Sequence, residues 1–181
     1  LSRQFEQLLA NDNSRLQSEL TNVAVQFMTL IDKQTQKIQY ETKDLTAQVS
    51  DSLKVSAIVS TYNSENFIRG CLEDLVNQTL YQTGALEIIV IDSNSQQNEG
   101  AVVREFQGKY PNIIYSRIPE RETIYAAWNR GIQMSRGRYI TNANADDRHR
   151  PDALEIMANH LDSQPETALV YGDQLITNVL N

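Results

Sequence analysis

The chain has 181 residues, 40% of them apolar, a single cysteine and a formal charge of −7. That length holds one domain and an extension, and the acidic balance argues against nucleic acid or an anionic membrane as partner, since phosphate recognition needs clustered Lys and Arg. The lone thiol, Cys71, excludes an intrachain disulfide and disfavours a cysteine-built zinc site. No apolar run approaches the roughly 18 residues of a membrane span, and no signal-peptide pattern opens the chain. A cytoplasmic setting is expected. A chain opening on Leu1 rather than Met reads as an excised segment, so any membrane association is expected from parts outside it.

Residues 1–50 contain neither Gly nor Pro. Leu9, Leu16, Val23 and Leu30 recur every seven residues, with Leu20 and Phe27 between them, and the stripe then shifts by one position to Ile31, Ile38 and Leu45. A period near 3.5 without a breaker predicts a long amphipathic helix of about 75 Å. It reads either as a coiled coil, giving a homo-oligomer through residues 1–50, or as a long helix or linker, since Asn13, Gln34 and Lys37 interrupt the seam.

From Leu53 the pattern changes to short apolar runs alternating with helical ones, so the domain is placed at 53–181. A strand at Val55–Val59 precedes a helix bearing Phe67, Ile68, Cys71, Leu72, Leu75 and Val76, with Ser64 as N-cap. The second strand, Glu87–Ile91, is apolar enough to be buried on both sides. A helix through Val102, Val103 and Phe106 and a strand at Ile113–Tyr115 follow. The third helix carries Ile124, Trp128 and Ile132 on one face, with Trp128 read as core. A strand at Arg138–Thr141, a helix opened by Pro151, and a fifth strand at Ala168–Tyr171 complete the series. Such alternation predicts an α/β fold, a mostly parallel open sheet with flanking helices.

In an open parallel sheet, ligands bind beyond the carboxyl ends of the strands. Ser60-Thr61-Tyr62-Asn63 follows the first strand, Asp92-Ser93-Asn94-Ser95 the second, and Asn142, Asn144, Asp146 and Asp147 the fourth. Three polar loops on one edge make a candidate site. Adjacent Asp146 and Asp147 repel one another, and a divalent cation relieves this; carboxylate oxygens suit Mg²⁺ or Mn²⁺. The same dipeptide also fits an ordinary loop, with Asp147 capping the helix after Pro151 and Asp146 pairing with Arg148 or Arg150. Asp92 reads equally as a ligand for a base or ribose and as the acceptor closing its own turn. His149 and His160 lack a second ligand pattern and read as surface residues. Neither a Gly-x-Gly-x-x-Gly stretch nor a Walker loop is present, which disfavours dinucleotide and P-loop chemistry.

These residues resemble family-2 glycosyltransferases of the GT-A, Rossmann-like fold. The match runs in order through Val55–Asn63 (VSAIVSTYN), Cys71–Thr79 (CLEDLVNQT), Glu87–Ser95 (EIIVIDSNS), Ala126–Ile132 (AAWNRGI), Arg136–Ile140 (RGRYI), Asn144–Asp147 (NADD) and Val170–Asp173 (VYGD). The resemblance implies a nucleotide-diphosphate sugar donor and an unidentified acceptor. Thr61, Tyr62 and Glu65 would line the nucleotide pocket, Asp92 and Ser93 would lie beside the nucleoside, and Asn129 and Arg130 would approach the donor. Asn144-Ala145-Asp146 takes the place of the family's Asp-x-Asp motif, with Asp146 and Asp147 as metal ligands. The sequence departs from the family at Ser60, where Pro is usual, and at Ser93 and Asn144, where acids are usual. Pro119-Glu120-Arg121-Glu122 replaces a glycine-rich stretch. The family's catalytic base, an Asp or Glu, lies downstream of the metal motif, so the catalytic residue is expected beyond Asn181 and the chain alone is expected to be inactive. An inverting transfer is the implied reaction; the alternative is a non-catalytic module assembled through the N-terminal helix.

Overall fold

In a computed structural model, the described residues are 2–174 and 176 for the backbone, and 15–39, 41, 52–174 and 176 for side chains. The chain divides into two units, 1–48 and 49–181. Helix α1 (Ser2–Ser52) occupies the first. All of its described side chains are exposed, the seam residues Leu16, Leu20, Val23, Phe27 and Leu30 included. Leu9, Asn13 and Leu45 of the expected seam lie outside the described side chains.

The second unit contains β1 (Val55–Thr61), α2 (Glu65–Val76), α3 (Thr79–Gln82), β2 (Leu86–Asp92), α4 (Glu99–Gln107), β3 (Ile113–Arg117), α5 (Ile124–Met134), β4 (Tyr139–Asn142) and α6 (Ala153–Ser163). The strands form one parallel sheet in the order β3-β2-β1-β4. Register pairs Thr61 with Asp92 and Asp92 with Arg117, so three strands finish on one line. Side-chain alternation divides the core. Val55, Ala57, Val59, Ile88 and Val90 pack with residues of α2, α4 and α6, including Ile68, Leu72, Val103 and Leu154. Ile89 and Ile91 on the opposite face pack with Ile118 and with Ala127 of α5.

Several expectations change here. The fifth strand is absent: residues 168–171 pair with no neighbour, and Leu169 and Tyr171 are exposed. An apolar β-prone run becomes a strand only when another edge accepts its hydrogen bonds. Ser64 stands at the N-cap of α2, but its hydroxyl makes no cap bond; it donates to the Tyr62 carbonyl at 3.2 Å. On α5 the stripe of large residues is not the buried face. Ile124 and Ile132 are exposed, Trp128 is half-buried against Tyr125, and Ala127 and Gly131 meet the sheet. A Cβ on Gly131 would collide with the Ile58 side chain, so the helix approaches by its small residues. Short helix α3 carried no sequence signal.

The edge where the strands begin is closed by a polar network. Glu87, fully buried, accepts from Ser56 Oγ at 2.6 Å, from the Arg136 backbone N–H at 2.6 Å, and from Arg136 Nε and Nη2 at 2.9 and 2.7 Å. Burial pushes its pKa up, but these donors outweigh burial and hold it below the usual value. A Cβ on Gly137 would lie 2.6 Å from the backbone N of Ser56, so only glycine lets the chain enter β4 at this distance.

Candidate functional site: a cleft at the carboxyl edge of the sheet

At the opposite edge the chain turns sharply after each strand. Asn63 and Asn94 take left-handed backbone conformations with φ of 51° and 62°, which asparagine tolerates better than most residues. The two turns are laced together, Asn63 Oδ1 accepting from the Gln96 N–H at 2.7 Å and Ser95 Oγ from the Asn63 N–H at 3.2 Å. Beneath them lies Asp92, wholly buried. Its Oδ1 accepts from the Ser95 N–H at 2.7 Å, and its Oδ2 from Tyr115 Oη at 2.6 Å and Arg117 Nη1 at 3.4 Å. Burial and the bond to Asp92 push the Tyr115 hydroxyl up to about 12, so it stays a donor across the physiological range.

Beyond β4, Ala143 and Ala145 are buried, while Asn144 is half-buried and Asp146 exposed. The alternation directs Asn144 and Asp146 away from the core. The Asn144 amide is oriented by donation from Nδ2 to Asp147 Oδ2 at 3.0 Å, which leaves its Oδ1 enclosed without a hydrogen-bond partner. Thr61 Oγ1 is likewise enclosed and unpartnered. Buried polar atoms without partners are uncommon, because each forfeits its hydration. Here both belong to residues lining one cleft.

That cleft has a volume of about 490 Å³. One wall comes from the ends of β1 and β2 (Ser60, Thr61, Tyr62, Ser93), with Ser64 and Phe67 from the start of α2. The floor near β4 is Asn144, Ala145 and Asp146, and the facing wall is Arg121, Glu122, Thr123 and Ile124 at the start of α5. Thr123 caps that helix, its Oγ1 accepting from the Ala126 N–H at 3.2 Å. Arg121 lies over the Tyr62 ring, 4.2 Å from its centroid. Glu122 binds Arg130 through Nε at 2.7 Å.

Thr61, Tyr62, Ser93, Asn144 and Asp146 thus come together as expected from the loops. Others do not line the cleft. Glu65 is exposed, and its backbone N–H donates to Gln97 Oε1 at 3.2 Å. Asp92 sits below the cleft with both oxygens engaged, which matches its reading as the acceptor that closes its own turn. Asn129 is exposed on α5, and Asp147 is exposed beside Asn144. Arg148 forks onto Asp74 at 2.7 Å through both nitrogens, and Arg150 onto Asp152. His149 is not a surface residue: it is half-buried with Nδ1 enclosed, and burial holds its pKa below the ordinary value. Sequence reasoning overlooked Arg121 to Ile124 as a wall. The signal was available, because a helix that follows a parallel strand starts at the edge where that strand ends.

Residues 56–175 match the family model described as glycosyl transferase family 2. The chain belongs to this family. Glycosyltransferase GlyA of Streptococcus pneumoniae is 33% identical over 104 residues, covering 58% of this chain and 14% of that protein. S. aureus TarS, solved in complex with UDP, superposes with a TM-score of 0.58 at 25% identity, over 62% of this chain and 33% of that one. Mannosyltransferase PcManGT from Pyrobaculum calidifontis, in complex with GDP-Man and Mn²⁺, gives 0.54 at 26% identity, over 60% and 32% of the two chains. The glycosyltransferase sheet and its flanking helices are therefore those of a GT-A domain. The chain spans a third or less of the length of each of these relatives. Among the described residues no helix is long and apolar enough to cross a membrane.

Proposed function

We propose that residues 53–181 form the donor-binding part of a glycosyltransferase that uses a nucleotide-diphosphate sugar, with residues 1–50 as a separate helical extension serving assembly. The observation that carries this is the enclosure of two unpartnered oxygens, Thr61 Oγ1 and Asn144 Oδ1, in a cleft that also holds Asp146. TarS with UDP and PcManGT with GDP-Man and Mn²⁺ supply the class of ligand.

The residues present fit a divalent cation. Among the described residues no group of three His, Cys, Asp or Glu gathers, so the protein would offer Asp146 and the carbonyl oxygen of Asn144, with phosphate oxygens completing the shell. Mg²⁺ is commonly held in that way, by one or two protein oxygens and the substrate. When bound, the cation would stabilise the charge that grows on the leaving diphosphate. Thr61 and Ser93 would supply hydrogen bonds to the nucleoside, Tyr62 an aromatic face, and Asp92 would hold the turn that presents Ser93. In the inverting transfer proposed for the whole protein, an acceptor hydroxyl oxygen bonds to the anomeric carbon as the bond to the diphosphate breaks. The hydroxyl proton passes to a general base.

Calorimetric titration of the chain with UDP and GDP, with and without Mn²⁺, tests this reading. Saturable binding strengthened by Mn²⁺ is expected. No binding at millimolar nucleotide by a folded sample overturns it. A second reading, a GT-A domain that serves assembly without catalysis, draws on Ser93 and Asn144, where the family usually carries acids. On that reading Asp146→Ala leaves the function of the whole protein intact.

A further inference from the structure

Helix α1 presents a continuous apolar stripe to water. Leu16, Leu20, Val23, Phe27 and Leu30 follow one another at alternating four- and three-residue steps, and each is between 56 and 72% exposed. Such spacing makes a narrow seam that a second helix can cover by knobs-into-holes packing. The polar residues flanking the seam say which helix, and in which direction.

In heptad terms, Leu20, Phe27 and Gln34 take one seam position, and Leu16, Val23, Leu30 and Lys37 the other. Glu19 and Lys33 occupy equivalent flanking positions, fourteen residues apart. Glu19 is held on its own helix by Arg15 at 3.2 Å. Among the described residues Lys33 has no carboxylate partner, whereas Lys37 lies 3.8 Å from Glu41.

We propose that α1 pairs with α1 of a second copy of this chain as an antiparallel two-stranded coiled coil. The register sets Leu20 against Leu30, Val23 against Phe27 and Leu16 against Gln34, each layer occurring twice by symmetry. The overlap from Leu16 to Gln34 is roughly 28 Å long at 1.5 Å per residue. In this register the flanking Glu19 of each copy faces Lys33 of the other, giving two reciprocal ion pairs. A parallel, in-register pair loses that complementarity. Glu19 would face Ala24, Lys33 would face Ile38, and Lys37 would meet its own copy across the seam, like charge on like charge. Sliding the antiparallel pair by one heptad also fails: in one direction Lys37 lands on Leu20, and in the other Glu19 faces the uncharged Gln26. Charge complementarity and apolar matching thus select one register. The inference is independent of the donor site.

Sedimentation of the full chain with and without engineered cysteines tests it. The native chain should sediment as a dimer in the micromolar range. The double variant Leu16→Cys with Gln34→Cys should become disulfide-linked between copies on mild oxidation, while Leu16→Cys alone should not; native Cys71 is buried and serves as background. Glu19→Lys or Lys33→Glu alone should raise the dimer dissociation constant roughly tenfold, and the two together should restore it. A monomer throughout, efficient cross-linking of Leu16→Cys alone, or a charge swap that stays as weak as its single changes would each overturn the proposal.

Discussion

Strand β2 carries a fully buried carboxylate at each end, Glu87 near its start and Asp92 at its finish, and the surroundings of the two differ. Around Glu87 every donor has found its acceptor: Ser56, Arg136 and Gly137 form a closed set. Around Asp92 the carboxylate itself is equally satisfied, yet Thr61 Oγ1 at the end of β1 and Asn144 Oδ1 in the loop after β4 are not, and both are left at the cleft. The first end therefore stabilises the fold, and on the proposed reading the second leaves hydrogen bonds for a ligand to complete. In a parallel sheet this asymmetry has a topological origin. The loops leaving the carboxyl edge are free to diverge, whereas the segment entering β4 is held against the backbone of β1.

Substitutions at four positions would break or sharpen this contrast. Glu87→Ala should have the largest effect on stability, about 3 kcal/mol in urea denaturation, because it strands the donors of Ser56 and Arg136. The pH dependence has a definite sign. The folded pKa of Glu87 lies below the ordinary value of 4.5, so its contribution is complete above about pH 4.5 and is lost as pH falls through the folded value. The melting temperature should fall more steeply on acidification in the native chain than in Glu87→Gln. If the two curves coincide, the network is not stabilising.

Gly137→Ala should cost about 2 kcal/mol by forcing a methyl group into the backbone of β1, read by the same denaturation, with nucleotide affinity preserved if the protein is folded. At the other edge Asp146→Ala should change stability by no more than about 0.5 kcal/mol while weakening Mn²⁺-dependent UDP binding about tenfold or more. A large loss of stability would place Asp146 among the structural residues instead. The smallest change expected is a gain. Asn144→Asp, which restores the acid usual in the family, should raise affinity for Mn²⁺ with UDP by a few fold, and unchanged affinity would remove Asn144 from the cation's surroundings.

How much of this was legible beforehand can be judged residue by residue. The loops after β1, β2 and β4 were readable because a parallel sheet sends every strand's carboxyl end to one edge, so Thr61, Ser93 and Asp146 could be gathered without coordinates. Glu65 and Asn129 were carried over from the resemblance, and they do not line the cleft. Whether a residue near a helix start faces a cavity depends on the helix's rotation, which sequence position alone does not define. Departure from a glycine-rich pattern says nothing of what the loop at Arg121 to Ile124 faces, whereas its place after β3 puts it at the carboxyl edge of the sheet.

Alternation of apolar runs, fixed by the two- and 3.6-residue periods, was enough to determine four of the five expected strands, most helices and the parallel arrangement, because burying each stripe leaves few other solutions. Tertiary structure alone decided which polar groups are satisfied and which are left over. Asp92 turned inward to hold its loop, Glu87 found Arg136 from a segment 49 residues away, and α5 docked on Ala127 and Gly131 rather than on its large apolar residues. Those outcomes depend on distances between atoms remote in the chain, and local composition carries no record of them.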